Sequence, residues 1–189
     1  MATKSDLDIF LNPASVAVIG ATERPGAWGS FIMRGLLSVH YPGKIFPVNR
    51  KAHKVFGVPA YADIEGIKGS VDLAVLTIPD ESVKEAIAAC GRKGVKGLTI
   101  ITAGFGETSQ AGRERQEALA LLARSHGMRV LGPNVSGAFN IPARFNASPT
   151  PADYIVPTPI AAVCQGSYAF YDLLYAGWSR GMGVGKFIH

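Results

Sequence analysis

The chain of 189 residues contains no uninterrupted apolar run near the roughly 18 residues that a bilayer crossing needs. It is also short of cysteine. Cys90 and Cys164 are too few and too far apart for a zinc site or a disulfide framework, and both stand in apolar sequence, where a reduced, buried thiol is the ordinary state. Nor is there a basic cluster: the formal net charge of +5 favours anionic partners, but Lys and Arg are scattered, which argues against a nucleic-acid groove and for a phosphorylated small molecule. Met1 to Asp8 mixes Lys4 with Asp6 and Asp8 and lacks an apolar core ending in a cleavage site, so it does not read as a secretory signal. These absences predict a soluble, cytoplasmic protein that binds neither membrane nor nucleic acid.

What is present is a βα rhythm. Ser15 to Gly20, Lys44 to Val48, Asp72 to Ile78, Gly97 to Ile101 and Arg129 to Leu131 are short and mostly apolar, as strands buried on both faces should be. Between them, Phe31, Ile32, Gly35 and Leu36 recur at helical spacing, as do Val83, Ala86, Ile87 and Cys90, then Ala111, Ala118, Leu119 and Leu122. Pro79-Asp80 and Thr108-Ser109 read as helix entries; Gly91, Gly94 and Gly127 read as helix stops. The pattern predicts an α/β fold, a Rossmann-like and mostly parallel sheet with helices on both faces. From Ala147 to Pro159 repeated prolines exclude a helix or a central strand. Residues 1–146 are therefore read as the first domain, 147–159 as a Pro-rich linker, and 160–189 as the start of a second α/β unit: strand Ile160 to Cys164, turn Gln165 to Ser167, a helix to about Arg180, and a strand from Val184 to Ile188. About 40 residues make a marginal independent core, so this unit is expected to dock on the first domain or on further chain.

The ligand-bearing positions are the turns at the carboxyl ends of the strands. Gly20-Ala21-Thr22-Glu23-Arg24-Pro25-Gly26 joins the first strand to the first helix, where backbone N–H groups and a helix N-terminus hold phosphates; the alternative is that the glycines only permit tight packing. The G-x-G-x-x-G dinucleotide fingerprint is missing from this turn. Missing too is the acidic residue that an NAD site places after the second strand: the sequence there is Asn49-Arg50-Lys51. Lys51, with Arg50 and Lys54, suits a phosphorylated ribose, either the 3′-phosphate of coenzyme A or the 2′-phosphate of NADP, unless it is only a solvated basic loop. Pro79 ends the third strand, Ile101-Thr102-Ala103 the fourth, and Gly132-Pro133-Asn134 follows the fifth, so all lie on the same rim and leave room for a thin ligand arm.

Ile9 to Ala21 (IFLNPASVAVIGA), Val48-Asn49-Arg50-Lys51, Val71 to Val75, Thr102 to Glu107 (TAGFGE) and Arg129 to Asn134 (RVLGPN), in this order, resemble the amino-terminal domain of ADP-forming acetyl-CoA synthetases and, more distantly, the succinyl-CoA synthetase α subunit, within the NDP-forming acyl-CoA synthetases. The resemblance runs from about Leu7 to the end. It implies that coenzyme A is the ligand, held by Thr22 to Pro25, by Lys51 and less securely Lys54, by Ile101 to Ala103 along the pantetheine arm, and by Asn134 near its reacting end. It further implies a flavodoxin-like, ligase-type second domain, an ATP-grasp domain or subunit as partner, and Tyr171 near the substrate; Tyr168, Tyr171, Tyr175 and Trp178 also fall roughly on one helical face, for which core or partner packing is the favoured reading. Two departures stand out: Cys164-Gln165-Gly166-Ser167 replaces a Ser-Gln-Ser-Gly-like turn, and Arg50 stands where the family usually has Pro. The family's phosphohistidine lies in a Gly-His-x-Gly-like loop, and His40, His53, His126 and His189 have no such surroundings, so binding of coenzyme A or acyl-CoA without turnover is expected. An NADP-binding oxidoreductase domain and a free-standing CoA-responsive regulator remain the alternatives.

Overall fold

The computed structural model describes residues 6–189. In chain order the elements are β1 (Ser15–Ile19), α1 (Trp28–Ser38), β2 (Lys44–Val48), β3 (Lys54–Val55), β4 (Val58–Pro59), β5 (Leu73–Leu76), α2 (Asp80–Lys93), β6 (Gly97–Ile100), α3 (Gln110–Ser125), β7 (Arg129–Leu131), β8 (Ala138–Asn140), β9 (Phe145–Ala147), β10 (Ala161–Val163), α4 (Ser167–Trp178) and β11 (Lys186–Ile188). Five of the strands form one sheet in the order β2-β1-β5-β6-β7, every pairing parallel. Successive side chains of a strand point to opposite faces; the central strands β1, β5 and β6 are buried along their whole length, while the edge strands β2 and β7 are partly open. Ala17, Ala74, Leu76, Leu98 and Ile100 pack against α2 and α3 through Val83, Ile87, Cys90, Leu119 and Ala123. Val16, Val18, Leu73 and Val75 pack on the other side against Ile32, Met33 and Leu36 of α1.

The helices are turned somewhat from the faces their spacing suggested. In α1 the buried side chains include Ile32, Met33 and Leu36, while Phe31 is exposed. In α3 Gly112, Leu119 and Ala123 face the core, and Ala111 and Ala118 face outward. Gly112 fixes this rotation: a Cβ there would sit 2.1 Å from the Phe105 carbonyl oxygen, so the helix lies directly on the preceding loop. Ser109 caps α3 by accepting a hydrogen bond from Gly112 N at 3.0 Å, and Gly94 closes α2 in the left-handed conformation. Gly91 is not a stop. It lies within α2 under the ring of His126, where a side chain would collide.

A second, small mixed sheet runs β10-β11-β8-β9, with β10 and β11 parallel and the other pairs antiparallel. Its strands come from both sides of the proline-rich stretch. Phe139, Phe170 and Phe187 form its core with Leu174 and Val184, and the rings of Phe170 and Phe187 stack at 3.8 Å. Its other side joins the first sheet's layer: Phe145 and Ala147 pack with α1, and Gly35 allows the contact, since a Cβ there would meet the Asn146 carbonyl oxygen at 2.6 Å. Along α4, Tyr175 and Trp178 are half exposed, while Tyr171 borders the small core.

Candidate functional site

The strand order reverses between β1 and β5: β2 lies to one side of β1, and the later strands extend to the other. Parallel sheets open a crevice at such a point, above the carboxyl ends of the strands. The first turn sits there. Gly20 adopts φ +94 and donates its N–H to the Val48 carbonyl at 3.1 Å; a Cβ would lie 2.8 Å from both the carbonyl oxygen and Oγ1 of Thr77. Gly29, at the start of α1, is closer still to the turn, with a Cβ position 2.1 Å from the Gly20 oxygen. The turn and the helix start are therefore in backbone contact. No side chain caps the N-terminus of α1, so its orphan N–H groups and positive dipole end face the loop. Within the loop Arg24 N donates to Thr22 Oγ1 at 3.2 Å, and Glu23 accepts from Phe56 N at 2.6 Å, tying the loop to the β3–β4 hairpin.

On one side of Gly20 lies a groove of about 740 Å³ between the end of β2 and α2. Gly20, Asn49, Arg50, Lys51, Ile78 and Pro79 line it, with Ser82, Ala86 and Arg92 along the helix. Asn49 organises this end: its Nδ2 donates to the Ala21 carbonyl at 2.8 Å, and its Oδ1 accepts from Lys51 N at 2.8 Å and Ala52 N at 2.9 Å. The Lys51 ammonium is left at the exposed margin of the groove. Farther along, Arg92 pairs with Glu65 at 2.9 Å and Glu85 at 3.3 Å; these bonds hold the Glu65 carboxyl below its usual range and close the far end with an ion-pair network.

Ile78 also borders a second compartment of about 290 Å³, lined by Trp28, Thr77, Ile101, Thr102, Ala103, Asn134, Val135, Ser136 and His189. Thr102 Oγ1 donates to the Ile78 carbonyl at 2.6 Å and Thr77 Oγ1 to the Ile19 carbonyl at 3.0 Å. The turn after β7 carries a cis Gly132–Pro133 peptide and a left-handed Asn134 (φ 57) whose N–H reaches the Thr102 carbonyl at 3.0 Å. His189 comes from the second sheet. Its Nδ1 is 2.9 Å from both N and Oγ of Ser136, and burial lowers the imidazole pKa.

The structure thus brings Gly20, Asn49, Lys51 and Pro79 to the groove, and Ile101, Thr102, Ala103 and Asn134 to the adjoining compartment. Thr22, Glu23, Arg24, Pro25 and Gly26 form the loop between β1 and α1, mostly exposed, and do not line either cavity. Tyr171 is elsewhere. It packs beside Phe170 in the small core, burial raises its phenol pKa, and neither its hydroxyl nor that of Thr150 makes a well-formed hydrogen bond, though Thr150 pulls the pKa back slightly. Sequence reasoning missed Trp28, Thr77, Ser136 and His189 as lining residues. Trp28 and Thr77 adjoin a glycine turn and a strand end and were within reach of the same rim argument. Ser136 and His189 were not, because only the second sheet's docking brings them over the rim.

The CoA binding domain family matches residues 14–140. The α subunit of ADP-forming acetate–CoA ligase II from Pyrococcus furiosus is 38% identical over 182 residues, 96% of this chain and 39% of that protein. The corresponding isoenzyme I α subunit of the same organism is 40% identical, covering 92% of this chain and 38% of its own length. Among solved structures, the dinucleotide-forming acetyl-coenzyme A synthetase 1 of Ca. Korarchaeum cryptofilum superposes with a TM-score of 0.91 at 35% identity over 96% of this chain and 39% of that one. The chain spans about two fifths of the length of these relatives.

Proposed function

Because the chain belongs to the CoA binding domain family, in the form found in the α subunits of ADP-forming acetyl-CoA synthetases, we propose that it binds coenzyme A along the rim just described, as the CoA-binding portion of an acid–thiol ligase. The observation that carries this reading is the course of the cavity. The groove runs from Lys51 to Gly20, whose carbonyl abuts the uncapped start of α1, and it shares Ile78 with the second compartment, which holds Thr102, Asn134 and Ser136. A phosphorylated adenosine with a long, thin arm matches that sequence of chemistries. Lys51 meets the 3′-phosphate, with Asn49 fixing the backbone beside it. The N–H groups of the first turn and of α1 take the pyrophosphate, aided by the helix dipole. Ile101 to Ala103 guide the pantetheine arm, and Asn134 stands near the thiol.

The ligase relatives are longer, and the acid-activating and phosphoryl-transfer steps belong in our reading to chain or subunits beyond these residues, including an ATP-grasp partner. This chain binds coenzyme A or its acyl thioester and does not turn over alone. Isothermal titration at moderate salt tests the proposal. Coenzyme A should bind more tightly than dephospho-coenzyme A, and NADPH should not compete. Absence of coenzyme A binding would overturn it, and a preference for NADPH would replace it with a dehydrogenase domain.

A further inference from the structure

We propose that Trp28 is a specificity-determining residue, its indole forming one wall of the compartment at the thiol end and favouring thioesters whose acyl group is planar, aryl groups above all. The inference rests on the reading that coenzyme A lies along the rim. Trp28 is the first residue of α1 and lines the 290 Å³ compartment together with Ala103 and Asn134. It has no packing duty in the core. Ile32, Met33 and Leu36 supply the buried side chains of that helix, and Trp28 remains 43% exposed. Its ring is nevertheless set in place by Phe31, edge to face at 6.2 Å and 77°. Single exposed apolar residues need no explanation. An indole that lines a compartment and meets a second ring edge to face outside it is a different arrangement.

The rest of the lining sharpens the preference. The hydroxyl protons of Thr77 and Thr102 are both donated inward, to the carbonyls of Ile19 and Ile78. These two side chains therefore offer a ligand no free proton, and the compartment is less polar than its residue names suggest. An acetyl group presents the indole with no face to stack on. A ring conjugated to the thioester carbonyl does, and an aromatic pair of this kind is worth roughly three- to tenfold in affinity.

The test uses the chain with Trp178→Phe, which leaves Trp28 as the sole indole. Coenzyme A, acetyl-CoA and benzoyl-CoA are titrated by calorimetry and by tryptophan emission. Benzoyl-CoA should bind roughly three- to tenfold more tightly than acetyl-CoA and should shift the Trp28 emission with the same midpoint. The preference should survive Trp28→Phe, which keeps a ring, and vanish in Trp28→Leu, which keeps bulk without a plane. Equal affinity for the two thioesters, or a preference that persists in Trp28→Leu, overturns the inference while coenzyme A binding still supports the reading beneath it. Failure to bind any of the three overturns both.

Discussion

Replacing Gly29 by alanine places a methyl group 2.1 Å from the Gly20 carbonyl oxygen and 2.9 Å from its carbon, where real side chains come no nearer than 3.0 Å. Neither partner is the end of a flexible side chain. The Gly20 carbonyl belongs to a turn whose N–H is held by Val48 and whose Cα abuts Thr77, and Gly29 opens a helix clamped from the other side by β9. The two backbones must therefore part by about 0.9 Å, a strain comparable to overpacking a core, about 1–3 kcal/mol. In a domain of this size each kcal/mol lowers the unfolding midpoint by roughly 2–4 °C. The same displacement misaligns the N–H groups we assign to the pyrophosphate. Loss of a charge-assisted hydrogen bond costs about 1.5–3 kcal/mol, so coenzyme A affinity should fall by roughly ten- to a hundredfold. Gly127→Ala is the control. Unlike Gly29, it imposes a left-handed backbone (φ +72) on a residue with a Cβ, but into open space after α3, costing about 1 kcal/mol without touching the rim. Calorimetric unfolding and coenzyme A titration of both variants decide the matter. A Gly29→Ala protein with wild-type midpoint and an affinity within about twofold of wild type would refute the reasoning.

Lys51→Ala should weaken coenzyme A binding by roughly tenfold and leave dephospho-coenzyme A almost unaffected, because the ammonium is assigned to the 3′-phosphate alone; equal losses for both ligands would remove that assignment. Burial pushes the Cys90 thiol up to about 12, whereas Cys164 is partly exposed. A thiol reagent at pH 8 should label Cys164 in the native chain and reach Cys90 only after denaturation, read by mass spectrometry. Burial pushes the Glu107 carboxyl up, but the N–H groups of Gly104, of Glu107 itself and of Phe105 pull it further down, so its pKa in the folded chain lies below the usual glutamate value. A lowered folded pKa means that the stabilisation is complete above the ordinary glutamate range and lost as pH falls through the folded value. Glu107→Gln should therefore lower the neutral plateau, leave the acid end unchanged and so flatten the acid limb of the stability profile, read by denaturant unfolding across pH.

The first sheet was legible because its strands are short, mostly apolar runs between turn residues, the form that burial on both faces requires of the central ones. Its carboxyl-end rim, where we propose the ligand lies, follows from the same pattern, since the parallel order puts every strand's carboxyl end on one edge. The second sheet was not foreseen in this shape. β8 and β9 carry Asn140 and Asn146 at buried positions, residues that lower strand propensity, and each finds its partners only in the folded chain: Asn140 Nδ2 donates to the Leu11 carbonyl at 3.0 Å, and Asn146 Nδ2 to the Thr150 carbonyl at 2.9 Å. Helix rotation escaped the spacing argument at α3 because Ala at positions 111 and 118 fits an exposed face as readily as a buried one, while the residue that decides the contact, Gly112, has no hydrophobicity to register.

The docking of that second sheet bears directly on the chemistry of the thiol end. Strand pairing of β11 with β8 carries His189 to the Ser136 backbone, and Ser136 itself follows the Asn134 turn of the first sheet. The groove proposed for the phosphates is made by the parallel sheet, its loops and its helices, without the second sheet, whereas the compartment that would receive the acyl group is walled by both units. Affinity for coenzyme A and selection among its thioesters are therefore separable in the structure. A lesion in the core of Phe139, Phe170 and Phe187 should loosen the wall formed by Ser136 and His189, and so change discrimination among thioesters, before it changes the hold on the 3′-phosphate at Lys51.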